Sequence, residues 1–361
     1  MRLGVVTFWQ TADNFGQILQ LYALQTLLKR LNHSPILIRT KMTNQICLKL
    51  KIKKFLNEFL FVQKLRCGGK FFSSFFKRYI LYTKKIFKSK KDFDDADLNF
   101  DAVICGSDVV WSEGVGSGDF GELCFLDFVR KPIKKISYAA SFGTTKLSKE
   151  FSNFVKNKIS DFNAISVREC SGVDICSELG RRDAVSVCDP TMLLEKEDYE
   201  SFFKTRCTKH EMFGYFIGWK TEIPEKEIRE YAVKRKMKYS RLDCQNKKIS
   251  LKRFFKRKSV SGWLETYFHS SCIFTNSFHG TIFAIIFNKP FLFFPLGNSA
   301  KKLNDRVENL LNKLNLRTRI WNPNIDLQVQ MDEVIDWGNV NRLIGEWRKF
   351  SLNWLKSALE S

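Results

Sequence analysis

His279 has the setting of a reactive group. It is one of four histidines in the 361-residue chain and stands in NSFHGT at 276–281, where a short apolar run, CIFT at 272–275, gives way to apolar residues of helical spacing at 282–287. The first amides of a helix lack an intrahelical acceptor and favour an anion. Gly280 lets a ligand approach the backbone, and an imidazole beside those amides can hand a proton to what they hold. A hydrogen-bonded structural histidine is the ordinary alternative. His33, His210 and His269 lie in turn-like or polar contexts and read as structural. Asp108 follows FDAVIC at 100–105 and the turn Gly106-Ser107, so its carboxylate projects from the carboxyl edge of a sheet, where a general base needs to be. An Asx turn or helix cap would use the same residue without chemistry. Arg168 ends another strand in ISVRE at 165–169, and its planar guanidinium suits a carboxylate or phosphate; paired with Glu169 it would be structural. GVGSG at 114–118 reads as a loop, because neither a Walker lysine nor a G-x-G-x-x-G spacing accompanies it. No G-x-S-x-G nucleophile turn is present in a strand-to-helix setting.

The elements that must hold these residues alternate between strand and helix. LGVVTF at 3–8, a polar turn through Asn14 and Gly16, apolar positions 18, 19, 22, 23, 27 and 28 at helical spacing, and SPILI at 34–38 make a βαβ unit. Its first loop, like the turn at Ser107, lies at a strand's carboxyl end, where open α/β sheets place ligands. Further strands are expected at 135–140, 164–167 and 184–188. The alternation restarts with a strand at 212–219, a helix at 224–236, and strands at 272–275 and 292–294. The fold class is therefore α/β, with an N-terminal domain at 1–190, a second at 191–330, and C-terminal helices at 331–361 packing back across them. Two such halves imply a cleft between them.

Residues 48–91 depart from this pattern. Fourteen Lys and Arg face a single acid, Glu58, and Phe recurs throughout, which reads as two basic amphipathic helices around Cys67-Gly68-Gly69. Over the whole chain Lys and Arg number 60 against 38 Asp and Glu, a formal charge of +22, with 44% hydrophobic residues. That composition excludes a disordered chain. The ten cysteines are scattered without zinc spacing and read as reduced, mostly buried thiols. With neither a membrane-spanning apolar run nor a signal-peptide pattern, a cytoplasmic location is expected.

TFWQTADNFGQILQLYALQ at 7–25, ICGSDVVW at 104–111, ISYAASFG at 136–143, ISVRE at 165–169, DPTMLL at 189–194 and TNSFHGTIF at 275–283 together resemble, in this order, the polysaccharide pyruvyl transferase family. The resemblance implies two Rossmann-like domains facing a cleft in a GT-B-like arrangement. It also implies transfer of pyruvate from phosphoenolpyruvate to two hydroxyls of a sugar, with a cyclic ketal and phosphate as products. No metal and no cofactor beyond the phosphoenolpyruvate donor are required. By motif, His279 would be the acid and Asp108 the base. Arg168, Ser277, Gly280 and Thr281 would bind the donor's phosphate and carboxylate, with Asn14, Gly16 and Ser107 as further substrate contacts. Some branches of the family carry arginine where this chain has Ser277, so either Lys289 or Arg306 would have to compensate or the activity would differ. The acceptor, lipid-linked or nucleotide-linked, stays open. A glycosyltransferase using a sugar nucleotide is the competing reading. For residues 48–91, a peripheral role on an anionic inner membrane surface, delivering a polyprenyl-linked sugar, stands beside an ordinary helical insertion. No specific nucleic-acid partner is expected; the charge alone would give only salt-sensitive binding.

Overall fold

A computed structural model describes residues 1–11, 14–40, 69–87, 91–94, 99–116, 119–130, 132–203, 211–218, 221–244 and 258–360. Two parallel sheets organise them. The first contains β1 (Arg2–Val6), β2 (Ser34–Leu37), β3 (Ala102–Cys105), β4 (Lys134–Ala140), β5 (Ala164–Val167) and β6 (Val185–Ser186), in the order β2-β1-β3-β4-β5-β6. The second contains β7 (Glu211–Ile217), β8 (Lys238–Cys244), β9 (Ser270–Thr275) and β10 (Phe291–Phe293), in the order β10-β9-β7-β8. In each sheet the chain first steps to one side of its opening strand and then to the other. The crevices this leaves, between β1 and β3 and between β7 and β9, are where such sheets bind ligands. The loops bearing Asn14, Ser107 and Asp108 leave the first crevice, and Asn276 and Ser277 leave the second. Asn276 closes the second by accepting from the Ile217 amide at 2.7 Å and donating to the Ile217 carbonyl at 3.1 Å.

Among the described residues, the helices of nine residues or more are α1 (Phe15–Arg30), α2 (Gly69–Tyr79), α3 (Lys149–Ile159), α4 (Cys170–Glu178), α5 (Glu225–Lys234), α6 (Val260–His269), α7 (Phe278–Ile286), α8 (Asp305–Lys313) and α9 (Trp337–Glu360). The α1 helix is buried on nearly every side, because α2, α7 and the 190–193 turn cover what the first sheet does not. Apolar residues of both units, among them Leu24, Ile104, Trp263 and Ile282, share one core. Separate clusters fill the outer faces of the two sheets. The α9 helix returns to the first sheet: Ser351 Oγ accepts from the Cys188 amide at 3.0 Å, and Lys134 Nζ donates to the Leu359 carbonyl at 3.1 Å.

Some elements differ from the expected ones. The α7 helix begins at Phe278, four residues before 282, because Ser277 caps it by accepting from the Gly280 amide at 3.2 Å. Strand β8 and helix α6 were not anticipated from the sequence pattern. Glu113–Gly116, expected as loop, forms a single helical turn. Most of the 48–91 stretch, including Cys67 and Gly68, lies outside the described residues, as does His210. Within its described part, α2 turns Phe72 and Phe75 into the shared core and leaves Ser73, Ser74, Lys77 and Arg78 exposed. Phe72 and Phe75 are therefore packing residues, as in an ordinary insertion. Among the described residues no helix is long and apolar enough to cross a membrane, and the described cysteines are free.

Candidate active site

Ser107 from the first crevice and His279 from the helix after the second meet at Asp189, between the domains. This carboxylate is 1% exposed, yet it accepts four hydrogen bonds. Its Oδ1 accepts from the Thr191 amide at 3.0 Å and the Thr191 hydroxyl at 2.7 Å. Its Oδ2 accepts from Ser107 Oγ at 2.9 Å and Arg168 Nη1 at 3.1 Å, and lies 3.5 Å from His279 Nε2. Burial alone would raise the Asp189 carboxyl; His279 and Arg168 outweigh it and hold the group well below the carboxylate range. The residue is an anion at any ordinary pH.

Arg168 bridges Asp189 and Glu169, which it meets through Nε at 2.9 Å. Burial alone would lower its guanidinium, but Glu169, Asp189 and Asp108 keep it firmly charged. The same guanidinium lies 4.2 Å from the centre of the Phe278 ring, and Arg306 approaches that ring at 5.6 Å. One aromatic ring thus holds two cations side by side. Arg306 is half-buried and anchored by Nε to the Leu303 carbonyl at 3.1 Å. Among the described residues no carboxylate forms an ion pair with it. Burial, then the neighbouring Arg168, pull its guanidinium down to about 10.

Asp108 is buried at the same edge. Its φ of +83° is left-handed, a conformation that costs a non-glycine residue about 1–3 kcal/mol and recurs at active sites. Its carbonyl accepts from the Ser141 amide at 3.0 Å and its Oδ1 from the Val109 amide at 2.9 Å. Its charge acts on both Arg168 and Arg306, so it lies within electrostatic reach of both.

The glycine after α1's first residue brings the domains into contact. A Cβ on Gly16 would overlap His279 at Nδ1 and Cγ and stand 2.7 Å from the His279 Cβ. Only glycine lets the α1 start lie against the imidazole. Asn14 caps that helix, accepting from the Gln17 amide at 3.2 Å, so its side chain is engaged locally. Beside it Phe15 stacks on Trp263 of the second domain, centroids 4.9 Å apart and rings within 6° of parallel. From α1, Gln20 donates to Thr7 Oγ1 at 2.9 Å, and Thr7 donates to the Ser107 carbonyl at 2.8 Å.

Three expected ligand contacts are spoken for by the fold. The Gly280 amide is bound to Ser277 Oγ, and an added Cβ there would overlap Thr275 Oγ1 and stand 2.8 Å from the Tyr267 hydroxyl. Thr281 is fully buried, and its hydroxyl donates to the Ser277 carbonyl at 3.0 Å. Ser277 Oγ is the helix cap. These residues shape the start of α7 and leave the amides of Phe278 and His279 as its unpaired donors. Lys289 lies beyond the other end of that helix, 5.4 Å from the Phe268 ring. A nine-residue helix is about 13 Å long, so Lys289 does not join the cluster, whereas Arg306 does.

Asp189, Gln20 and Phe278 were not singled out from the sequence as site residues, although all three lie in the motif blocks. Three buried polar atoms around Asp189 and α1 have no hydrogen-bond partner: Gln20 Oε1, Arg168 Nη2 and His279 Nε2. Buried groups of this kind are normally satisfied. Among the described residues no group of three or more His, Cys, Asp or Glu could hold a metal ion.

The sequence model of the polysaccharide pyruvyl transferase family matches residues 14–298, which include every residue of this cluster except Arg306 and Thr7. The chain belongs to that family. It is accordingly a transferase of polysaccharide biosynthesis. No curated protein matches the chain. Among solved structures, the UDP co-structure of MnaA from S. aureus is 11% identical with a TM-score of 0.50, over 97% of this chain and 96% of that one. UDP-GlcNAc 2-epimerase from Methanocaldococcus jannaschii, in complex with UDP-GlcNAc and UDP, is 11% identical with a TM-score of 0.49, over 96% and 99%. HepE from Anabaena, in complex with UDP and glucose, is 9% identical with a TM-score of 0.46, over 96% and 98%. At such identities the S. aureus likeness speaks to the fold alone, a GT-B-like pair of Rossmann-like domains.

Proposed function

We propose that the protein transfers the pyruvyl group of phosphoenolpyruvate to two hydroxyls of one sugar, with His279 as acid and Asp108 as base. The observation that carries this reading is the pair of guanidiniums on Phe278. Arg168 is neutralised by its carboxylates, whereas Arg306 is charged, half-buried and without a carboxylate partner among the described residues. A cation in that state is set to receive an anion brought from outside. The donor carries roughly three negative charges, for which Arg306, Arg168 Nη2 and the first two amides of α7 are the receiving groups.

The chemistry divides between the two walls of the site. His279 gives a proton to the methylene carbon of phosphoenolpyruvate, and the central carbon becomes electrophilic. A sugar hydroxyl adds there and loses its proton to Asp108, whose Oδ2 is the oxygen not taken by Val109. A second hydroxyl of the same sugar then displaces phosphate, closing the ketal. Of the two hydroxyl protons, one replaces that spent by His279, and the other leaves with the phosphate.

Assaying phosphate release from phosphoenolpyruvate against lipid-linked and nucleotide-linked sugars tests the reading and identifies the acceptor. Phosphate release that depends on a sugar, with the donor's methylene becoming a ketal methyl, is the expected result. Release of a nucleotide from a sugar nucleotide, with no phosphate from phosphoenolpyruvate, would replace it with glycosyl transfer.

A further inference from the structure

We propose that Asp189 is a positioning residue that fixes the tautomer of His279, so that Nε2 holds its proton toward Asp189 and Nδ1 is the nitrogen that exchanges protons with the ligand. The proposal rests on the reading of His279 as the proton donor.

The carboxylate of Asp189 cannot turn. Thr191 holds Oδ1 through two donors, and Ser107 and Arg168 hold Oδ2 through two more. The acceptor nearest to His279 is therefore a fixed, ionised oxygen, 3.5 Å from Nε2. A ring nitrogen facing a carboxylate must carry hydrogen, since a lone pair there would meet another lone pair. At present the contact is longer than a hydrogen bond, and Nε2 is buried without a partner. Sites of this kind commonly tighten when ligand binds, and a shift of about 0.5 Å would complete the bond.

The opposite nitrogen has different surroundings. Nδ1 lies on the side of the α1 start, where only the missing side chain of Gly16 leaves it room. The two nitrogens therefore do different work. Nε2 anchors the ring to the first domain's Asp189, and Nδ1 delivers the proton. The fixed carboxylate orients the ring through Nε2, as a buried aspartate does behind a catalytic histidine in other enzymes. Asp189 itself is enclosed by donors and touches no ligand, so it acts through His279.

Long-range proton–nitrogen spectra of the full-length protein, labelled with nitrogen-15 histidine, test this directly. The signal lost in His279→Gln assigns the residue among the four histidines. In its neutral form His279 is expected to show hydrogen on Nε2 and none on Nδ1; the reverse tautomer overturns the proposal. Asp189→Asn is expected to lower kcat for phosphate release roughly 10- to 100-fold, with KM for phosphoenolpyruvate changed less than about twofold. A folded variant with unaltered kcat, or one whose defect lies wholly in KM, contradicts it. Should that variant not fold, the wild-type tautomer still decides. If the wild type releases no phosphate from phosphoenolpyruvate with any sugar, the transfer reading fails, while the tautomer stands or falls on the spectra alone.

Discussion

Gly16 and His279 belong to different domains, and the backbone of one lies flat against the ring of the other, with no room for a Cβ between them. Contact this close means that the position of α1 sets the position of the imidazole. Gly16→Ala must push either the helix or the ring aside, and misplacement of a reacting group by about 1 Å can cost on the order of 100-fold in rate. We expect kcat for phosphate release to fall by about that factor. A variant with wild-type turnover would show that His279 needs no support from α1.

His279→Ala removes the proposed proton donor and, with it, the 3.5 Å approach of Nε2 to Asp189. Positioned acids contribute about 100- to 10,000-fold, and a loss of that size in sugar-dependent phosphate release is expected. Unchanged turnover at equal protein concentration would transfer the role to another group.

The two arginines on Phe278 separate by what they are paired with. Arg306→Ala should weaken phosphoenolpyruvate binding by about 1.5–3 kcal/mol, the range for charge-assisted bonds, with little change in stability. Arg168→Ala strands two buried carboxylates, Glu169 and Asp189, and should destabilise the fold by about 3–5 kcal/mol. Titration calorimetry and denaturant unfolding of both variants check the contrast. The opposite pattern would make Arg168 the anion receptor.

Acid should act on this cluster through Asp189. Its carboxyl is depressed in the folded protein, so its contribution is complete above the unfolded value of about 4 and is lost as pH falls from there toward the folded value. Unfolding free energy should decline below about pH 4, and Asp189→Asn should flatten that decline. An equally steep decline in the variant assigns acid sensitivity to other carboxylates.

The sequence made legible what depends on local pattern. Apolar runs ending in small or polar residues located β1, β3, β5 and β9, and with them Asp108, Arg168 and His279. Strand β8 escaped because KYSRLDC at 238–244 has charge and hydroxyl groups where a buried strand would be apolar; as an edge strand it buries only Leu242 and Cys244. Asp189 read as the end of a domain because Pro190 follows it. Its role comes from donors at 107, 168, 191 and 279, brought together only by folding. Lys289 was misplaced for the converse reason. It is close to His279 along the chain, but a helix carries it away, while Arg306 returns from 27 residues beyond.

The phenylalanines of α2 give the last expectation. Phe75 packs against Tyr22, Tyr79 and Phe202, and Phe72 against Phe15, next to the residue that touches His279. They are core, and a lipid surface would meet Lys77 and Arg78 instead. Removing a buried Phe side chain costs about 3–5 kcal/mol. Phe72→Ala and Phe75→Ala should lower the melting temperature and leave sedimentation with anionic vesicles unchanged. Charge reversal at Lys77 and Arg78 should leave the melting temperature in place and weaken any low-salt vesicle binding, each cationic residue near such a surface contributing about 1 kcal/mol. Loss of vesicle binding in the phenylalanine variants, with unchanged melting, would show that α2 leaves the core to insert its aromatic face into lipid.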